Sequence, residues 1–251
     1  MRPYKTILFE VRDAVATVTF DRPEARNSVV HWMLPEVADA MRRAAEDKFV
    51  RVLLLTGAGR DFCAGGDLNF YGAEGGDLGA DVDRSAFHVP MILRDAQFVS
   101  IAAIRGACAG VGMAWAAACD LRICDSSAKF NSAFLAVGMS GEMATIWNVS
   151  RLVGAGKARE LYFLPAKFDA MEAHRIGLVE RVYPAAEFDA GIEWVTAQLL
   201  SYAPLALKAV MANFADVYEV GMAAFVARES ERAVSLGASE DGAEAFKAFM
   251  E

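Results

Sequence analysis

The stretch Ile101-Ala102-Ala103-Ile104-Arg105-Gly106-Ala107-Cys108-Ala109-Gly110-Val111-Gly112-Met113-Ala114-Trp115-Ala116-Ala117-Ala118 decides the fold. It is almost wholly apolar, yet Arg105 and the glycines at 106, 110 and 112 interrupt it. No apolar run in the chain reaches the roughly 18 to 20 residues that span a bilayer. A buried strand over Ser100–Ile104, a glycine-bearing turn and an apolar helix over Met113–Ala118, opened by Gly110-Val111-Gly112, satisfy both facts. Roughly forty residues upstream, a strand ending at Thr56 runs through Gly57-Ala58-Gly59-Arg60 into Asp61-Phe62-Cys63-Ala64-Gly65-Gly66-Asp67-Leu68. Small residues there let an acyl group lie against the backbone. A helix start presents unsatisfied N–H groups and the positive end of the helix dipole. Two such donors converging on one oxygen form an oxyanion hole, which points to carbonyl chemistry. Either turn alone also reads as an ordinary loop; the pair carries the argument.

Working outward, apolar runs at Tyr4–Val11, Ala14–Phe20, Val50–Thr56, Ala118–Cys124 and Leu178–Tyr183 read as further strands. Helical patterns lie between them, one opened by Leu34-Pro35-Glu36 with Val37, Met41 and Ala44 on its apolar side and Asp47 at its end, another over about Asp83–Ala96. Strand and helix alternate, as in α/β folds. After about Gly138 the strand signal nearly vanishes and helices follow near Met143–Leu152, Ala155–Phe163, Met171–Ile176, Ala186–Ser201, Pro204–Val217 and Met222–Leu236. The expected division is a core over 1–190 and a helical region over 191–251. Met222, Phe225, Val226, Ala245, Phe246 and Phe249 are too apolar for a free tail and either meet another subunit or cover their own core. Gly72–Gly79 is the one segment that reads as mobile.

The 251 residues suffice for a substantial core, and hydrophobic residues make up 55% of them. A formal charge of −8 argues against general nucleic-acid binding while leaving room for a local basic pocket. Met1-Arg2-Pro3-Tyr4-Lys5 leads into a strand pattern without the apolar core of a signal peptide, so the expectation is a cytoplasmic protein without a membrane partner. Cys63, Cys108, Cys119 and Cys124 form no CxxC pair and read as reduced, buried thiols. No cluster of Cys, His and carboxylates has metal-ligand spacing.

The chain also resembles the crotonase, or enoyl-CoA hydratase/isomerase, superfamily. The resemblance runs through Asp21-Arg22-Pro23-Glu24-Ala25-Arg26-Asn27, Leu55–Leu68, Ile101–Gly106 with Gly110–Gly112, Ala118–Cys124, Ala128-Lys129-Phe130 and Ala173-His174-Arg175-Ile176-Gly177-Leu178-Val179. It implies an α/β crotonase-like spiral of ββα units, a C-terminal helical trimerisation region, a homotrimer or dimer of trimers, and an acyl-CoA thioester substrate. Coenzyme A is then part of the substrate and no separate cofactor is implied. By the resemblance, the amides of Ala64 and Val111 hold the thioester oxygen and Glu24, Ala25 and Arg26 line the path of the CoA; Gly65, Gly66 and Asp67 of the first turn are further substrate-binding candidates, with Asp67 reading first as a carboxylate that bonds local backbone. Arg22 and Arg26 are the cations nominated for its phosphates.

Hydratases of this family use two glutamates, and the matching positions here are Ala114 and Phe134. Neither moves a proton, so a conventional two-glutamate hydration is not expected. Glu142, four residues after Gly138, stands where dienoyl-CoA isomerases and the isomerases of phenylacetate breakdown carry an aspartate. It reads either as a single catalytic base or as a carboxylate compensating the dipole of the following helix. His88 contacts the acyl chain or is a structural histidine beside Phe87. Phe62, Phe70, Phe87, Phe134, Met139 and Trp147 are the candidate aromatic and thioether walls. The favoured expectation is an enoyl-CoA isomerase. Its rivals are a hydratase using Glu142 and water, a C–C hydrolase, a dehalogenase-like reaction with Glu142 as nucleophile, and a CoA-binding protein without turnover.

Overall fold

The computed structural model describes residues 4–73 and 84–250. Its strands are β1 (Ile7–Arg12), β2 (Val15–Phe20), β3 (Val52–Gly57), β4 (Val99–Ile104), β5 (Ala107–Ala109), β6 (Leu121–Asp125), β7 (Lys129–Asn131), β8 (Phe168–Asp169) and β9 (Arg181–Tyr183). Its helices are α1 (Met33–Glu46), α2 (Leu68–Ala73), α3 (Val89–Asp95), α4 (Val111–Ala118), α5 (Thr145–Val153), α6 (Ala155–Phe163), α7 (Ala170–Arg175), α8 (Phe188–Ser201), α9 (Pro204–Asp216), α10 (Met222–Gly237) and α11 (Glu240–Met250).

The main sheet has the order β1-β2-β3-β4-β6-β9. Only the β1–β2 hairpin is antiparallel; the other neighbours are parallel. Parallel strands covered on both faces need continuous apolar runs, which is why Val52–Leu55 and Ile101–Ile104 do not alternate. Val52, Ile101, Ala103 and Ile123 meet Phe188, Ile192 and Val195 of α8 on one face. Leu53, Leu55, Ala102 and Ile104 join the larger core on the other, with Val37, Ala38, Met41 and Ala44 of α1. Each fully buried aliphatic side chain there is worth about 1.5–3 kcal/mol.

A second, narrower ladder runs beside the sheet. Val29 bridges Gly66, Cys63 bridges Cys108, β5 pairs with β7, and β7 with β8. Successive turns of the chain thus place one strand on the main sheet and a short segment on this ladder: β2 then Val29, β3 then Cys63–Gly66, β4 then β5, β6 then β7. The result is a spiral whose small ladder brings the two glycine turns side by side.

Several sequence expectations are corrected. Helix α4 runs through Ala118, so β6 begins at Leu121. The helix expected over about 83–96 is a 3-10 turn Arg84–His88 followed by α3. Pro90 lacks an N–H and is accommodated only in a first turn, so α3 starts immediately before it. The boundary expected at 190/191 falls inside α8, which packs on the main sheet. Beyond it, α10 has no buried residue and α9 buries only Asp216, held by Arg228 and Arg232 at 2.6 Å each. Met222 is 84% exposed and Phe246 69%, so these side chains do not cover the chain's own core. The segment read as mobile lies, from Glu74 onward, outside the described residues.

Candidate active site

The two glycine turns meet backbone to backbone. A Cβ on Gly65 would lie 3.2 Å from the Ala109 carbonyl oxygen, and one on Gly110 would lie 3.6 Å from Gly65 Cα. Both glycines have left-handed backbone, φ 100° and 50°, which β-carbons oppose. Sequence and geometry agree here: only glycine permits this approach.

Which amides this leaves free differs from the expectation. The Ala64 N–H donates to the Arg26 carbonyl at 3.1 Å, so Ala64 has no donor to offer. The correction has a local cause. Val29 N–H bonds the Gly65 carbonyl at 2.7 Å and Asp67 N–H bonds the Val29 carbonyl at 2.9 Å, so the Gly66 N–H points away from that strand pairing. Among the described residues, the amides of Gly66 and of Val111 have no hydrogen-bond partner. Val111 opens α4, whose N-cap Gly110 brings no side-chain cap, and the dipole of α4 adds partial positive charge there. Each free donor directly follows one of the two touching glycines.

Glu142 lies three residues before α5. Burial alone pushes its carboxyl up to about 7. A carboxylate stabilised by a helix N-terminus would move the other way. Tyr71 of α2, which the sequence reading missed, connects this group to the turns. Its ring lies 3.7 Å from where a Gly66 Cβ would stand, and its phenol is raised by burial and then by the charges of Glu142 and Asp67. No sequence motif marked it; its position five residues after Gly66, on a one-turn helix, was the available signal.

The other expected residues divide. Phe134 is buried and stacks on Tyr162 with ring centroids 6.4 Å apart, while the Tyr162 ring lies 3.7 Å from the Cβ direction of Gly141, beside Glu142. Asp67 is occupied locally: it accepts the Phe70 N–H at 3.1 Å, capping α2, and pairs with Arg22 at 3.0 Å. Arg26 is occupied too, donating from Nε and Nη2 to Asp61 at 2.8 and 3.0 Å. Glu24 is exposed and Ala25 half-buried on a 3-10 turn, Pro23–Ala25, whose exit Arg26 and Asn27 take left-handed backbone. Asn27 ties that turn to the first glycine turn through its Nδ2, which donates to the Ala58 and Asp61 carbonyls. His88 is exposed, at the start of α3. Phe62 belongs to the core, edge-on to Phe20, rather than to a pocket wall. Trp147 is half exposed under Arg151 and lines a separate cavity of about 480 Å³ between α3, α4, α5 and α9. Among the described residues, no three His, Cys, Asp or Glu side chains are placed to hold a metal ion.

The family model for "Enoyl-CoA hydratase/isomerase" matches residues 10–251. This chain belongs to that family. It is 32% identical over 248 residues to a protein of Rhodobacter capsulatus named "Probable enoyl-CoA hydratase", covering 99% of this chain and 96% of that one. It is 36% identical over 182 residues to the 1,2-epoxyphenylacetyl-CoA isomerase of Escherichia coli, covering 70% and 69%. Among solved structures, an enoyl-CoA hydratase from a Polaromonas species superposes with a TM-score of 0.88 at 26% identity, over 97% of this chain and 96% of that one. A Thermobifida fusca protein solved in complex with acetoacetyl-CoA superposes with a TM-score of 0.84 at 28% identity, over 92% and 94%. The crotonase fold and the acyl-CoA class of enzyme are thereby shown for this family member.

Asp61 holds the first glycine turn in place. Only 4% exposed, it accepts from Arg26, from Arg60 and, at 2.7 Å, from the Ala107 N–H of β5. The Arg26 guanidinium in particular holds its carboxyl down at about 2. A depressed carboxyl contributes stability that is present above its unfolded value near 4 and lost as the pH falls through about 2. We expect Asp61→Asn to lower stability by about 1–2 kcal/mol at pH 7, with the gap from wild type closing between pH 4 and pH 2 in urea titrations.

Proposed function

We propose that this chain is an enoyl-CoA isomerase that stabilises a thioester enolate between the amides of Gly66 and Val111, with Glu142 as its base. The observation that carries the reading is the pair of unpaired amides beside the two touching glycines, with the half-buried Glu142 as a carboxyl that burial raises to about 7 and whose charge acts on Tyr71, the side chain lying against Gly66. A base poised near neutrality takes a proton from one carbon of an enoyl thioester and returns it to another. The two N–H groups hold the charge that accumulates on the thioester oxygen, an effect worth about 2.7–4 kcal/mol per donor in mutational studies of comparable sites. Ala114 is fully buried on α4 and Phe134 is stacked, so no second carboxylate joins Glu142 from the two positions that hydratases use.

Hydration is the second reading, and Tyr71 is what favours it. Addition of water needs a group for the water and a proton for the carbon, and the Tyr71 phenol is coupled to the Glu142 charge. Incubating the protein with a panel of enoyl-CoAs in deuterated water separates the cases. Deuterium at Cα or Cγ with a shifted double bond supports the isomerase. A hydroxyacyl product supports the hydratase. Tight binding of CoA esters with neither change retires catalysis in favour of a binding protein.

Arg26 and Arg60 share the single charge of Asp61, which leaves this cluster with one net positive charge, and we assign the CoA phosphates to it. The open apolar faces of α9 and α10 support assembly into a trimer or a dimer of trimers.

A further inference from the structure

The segment 26–32 and the first glycine turn run side by side. The Ala64 N–H donates to the Arg26 carbonyl at 3.1 Å, the Val29 N–H to the Gly65 carbonyl at 2.7 Å and the Asp67 N–H to the Val29 carbonyl at 2.9 Å. One step further along, the Phe70 ring packs on His31 and Trp32, with centroids 5.3 and 5.0 Å away. The Arg26–Asp61 ion pair therefore stands at one end of this pairing and α2 at the other, with the Gly66 amide between them. Successive helical residues point about 100° apart, so Tyr71 leaves the face that Phe70 occupies. Its ring meets Phe70 edge-on at 5.2 Å, and its Cε2 and Cδ2 lie 3.7 and 3.9 Å from where a Gly66 Cβ would stand. That Cβ position and the Gly66 nitrogen are bonded to one Cα, so the ring stands beside the free amide.

We infer that Tyr71 is a specificity-determining residue of the acyl site, its ring forming a flat wall that selects planar conjugated acyl groups over saturated ones. This rests on the proposed function, with the thioester oxygen on the Gly66 and Val111 amides and the CoA phosphates toward Arg26. With those two ends fixed, the acyl group leaves the carbonyl on the α2 side. An oxygen held about 3 Å from the Gly66 nitrogen brings the first acyl atoms within reach of the ring. A planar π-system lies offset or edge-on against an aromatic ring and gains more there than its buried area alone provides. It also has fewer rotors to immobilise than a flexible chain. Such a wall discriminates only if it is held in place. Helix α2 has six residues, too few to be stable alone, and the seat of Phe70 on His31 and Trp32 is what anchors it.

The test uses the full-length protein with benzoyl-CoA and cyclohexanecarbonyl-CoA, whose acyl groups share a carbon count and differ in being flat or puckered. Free CoA is the control, and calorimetric titration gives the dissociation constants. Wild type should prefer benzoyl-CoA by at least about fivefold. Tyr71→Leu should bring that ratio within about twofold by losing benzoyl-CoA affinity, while free CoA changes by less than about twofold. Tyr71→Phe keeps the ring and should keep the ratio. Circular dichroism establishes that each variant is folded, and Tyr71→Met replaces the leucine variant if that one is not. A wild-type ratio within about twofold overturns the inference, as does a folded Tyr71→Leu or Tyr71→Met protein that keeps the wild-type preference. Loss of the preference in Tyr71→Phe also overturns it, since the hydroxyl and not the ring would then discriminate. Benzoyl-CoA labelled with carbon-13 at its carbonyl separates a deeper failure. A carbonyl signal that stays at its free position on binding overturns the oxyanion hole itself, whereas a displaced signal without preference overturns only the aromatic wall.

Discussion

Glu142→Gln should lower turnover by about 10² to 10⁴ fold while leaving the affinity for a saturated acyl-CoA within about threefold. The amide of glutamine fills the same space and cannot take a proton at neutral pH. Binding survives because the donors of Gly66 and Val111 are backbone groups that the substitution does not touch. The wild-type pH profile should carry the same signature. A base works only when deprotonated, and burial holds Glu142 at about 7, so kcat/KM should climb with pH, bend near 7 and level off above it. In Glu142→Gln the residual rate should show no such bend. Near-native turnover in the variant, or an unchanged bend, sinks Glu142 as the base and makes Tyr71, on which its charge acts, the next residue to replace.

What the sequence made legible was what local pattern encodes. The Ile101–Ala118 stretch folds as strand, turn and helix, and Gly65 and Gly110 are glycines because their backbones touch. The choice of amide was not legible. It depends on Arg26 accepting from Ala64 and on Val29 pairing around Gly66, contacts with a segment some forty residues upstream that no local period reports. The ladder strands β5, β7 and β8 are two or three residues long, too short for an alternation to show. The pairing of Arg22 with Asp67 and of Arg26 with Asp61 was not legible either, because these partners lie far along the chain, and they take most of the charge on which the cationic reading relied. Glu142 had two readings from sequence because its position before a helix is visible there and its burial is not.

Those two readings of Glu142 make opposite predictions about stability, and this provides a test independent of any substrate. A carboxylate compensating the α5 dipole would stabilise the fold when ionised, so Glu142→Gln would weaken the protein at pH 8. A half-buried carboxyl raised to about 7 does the reverse. Its folded-state pKa lies above the unfolded value near 4.5, so the protonated form is the comfortable one. The contribution is intact below pH 4.5 and is lost as the pH rises through 7, because ionising the folded protein costs more than ionising the unfolded chain. Glutamine does not titrate and escapes that cost. The variant should therefore gain about 2–3 kcal/mol over wild type between pH 5 and pH 8, measured as the change in their difference by urea unfolding at each pH. Any constant offset present at pH 5 reports only how the amide packs. Such a gain, alongside the lost turnover, is the stability that a site gives up to keep a base unionised near neutrality. A difference that stays flat across this range, or that turns against glutamine at pH 8, returns Glu142 to the helix-dipole role.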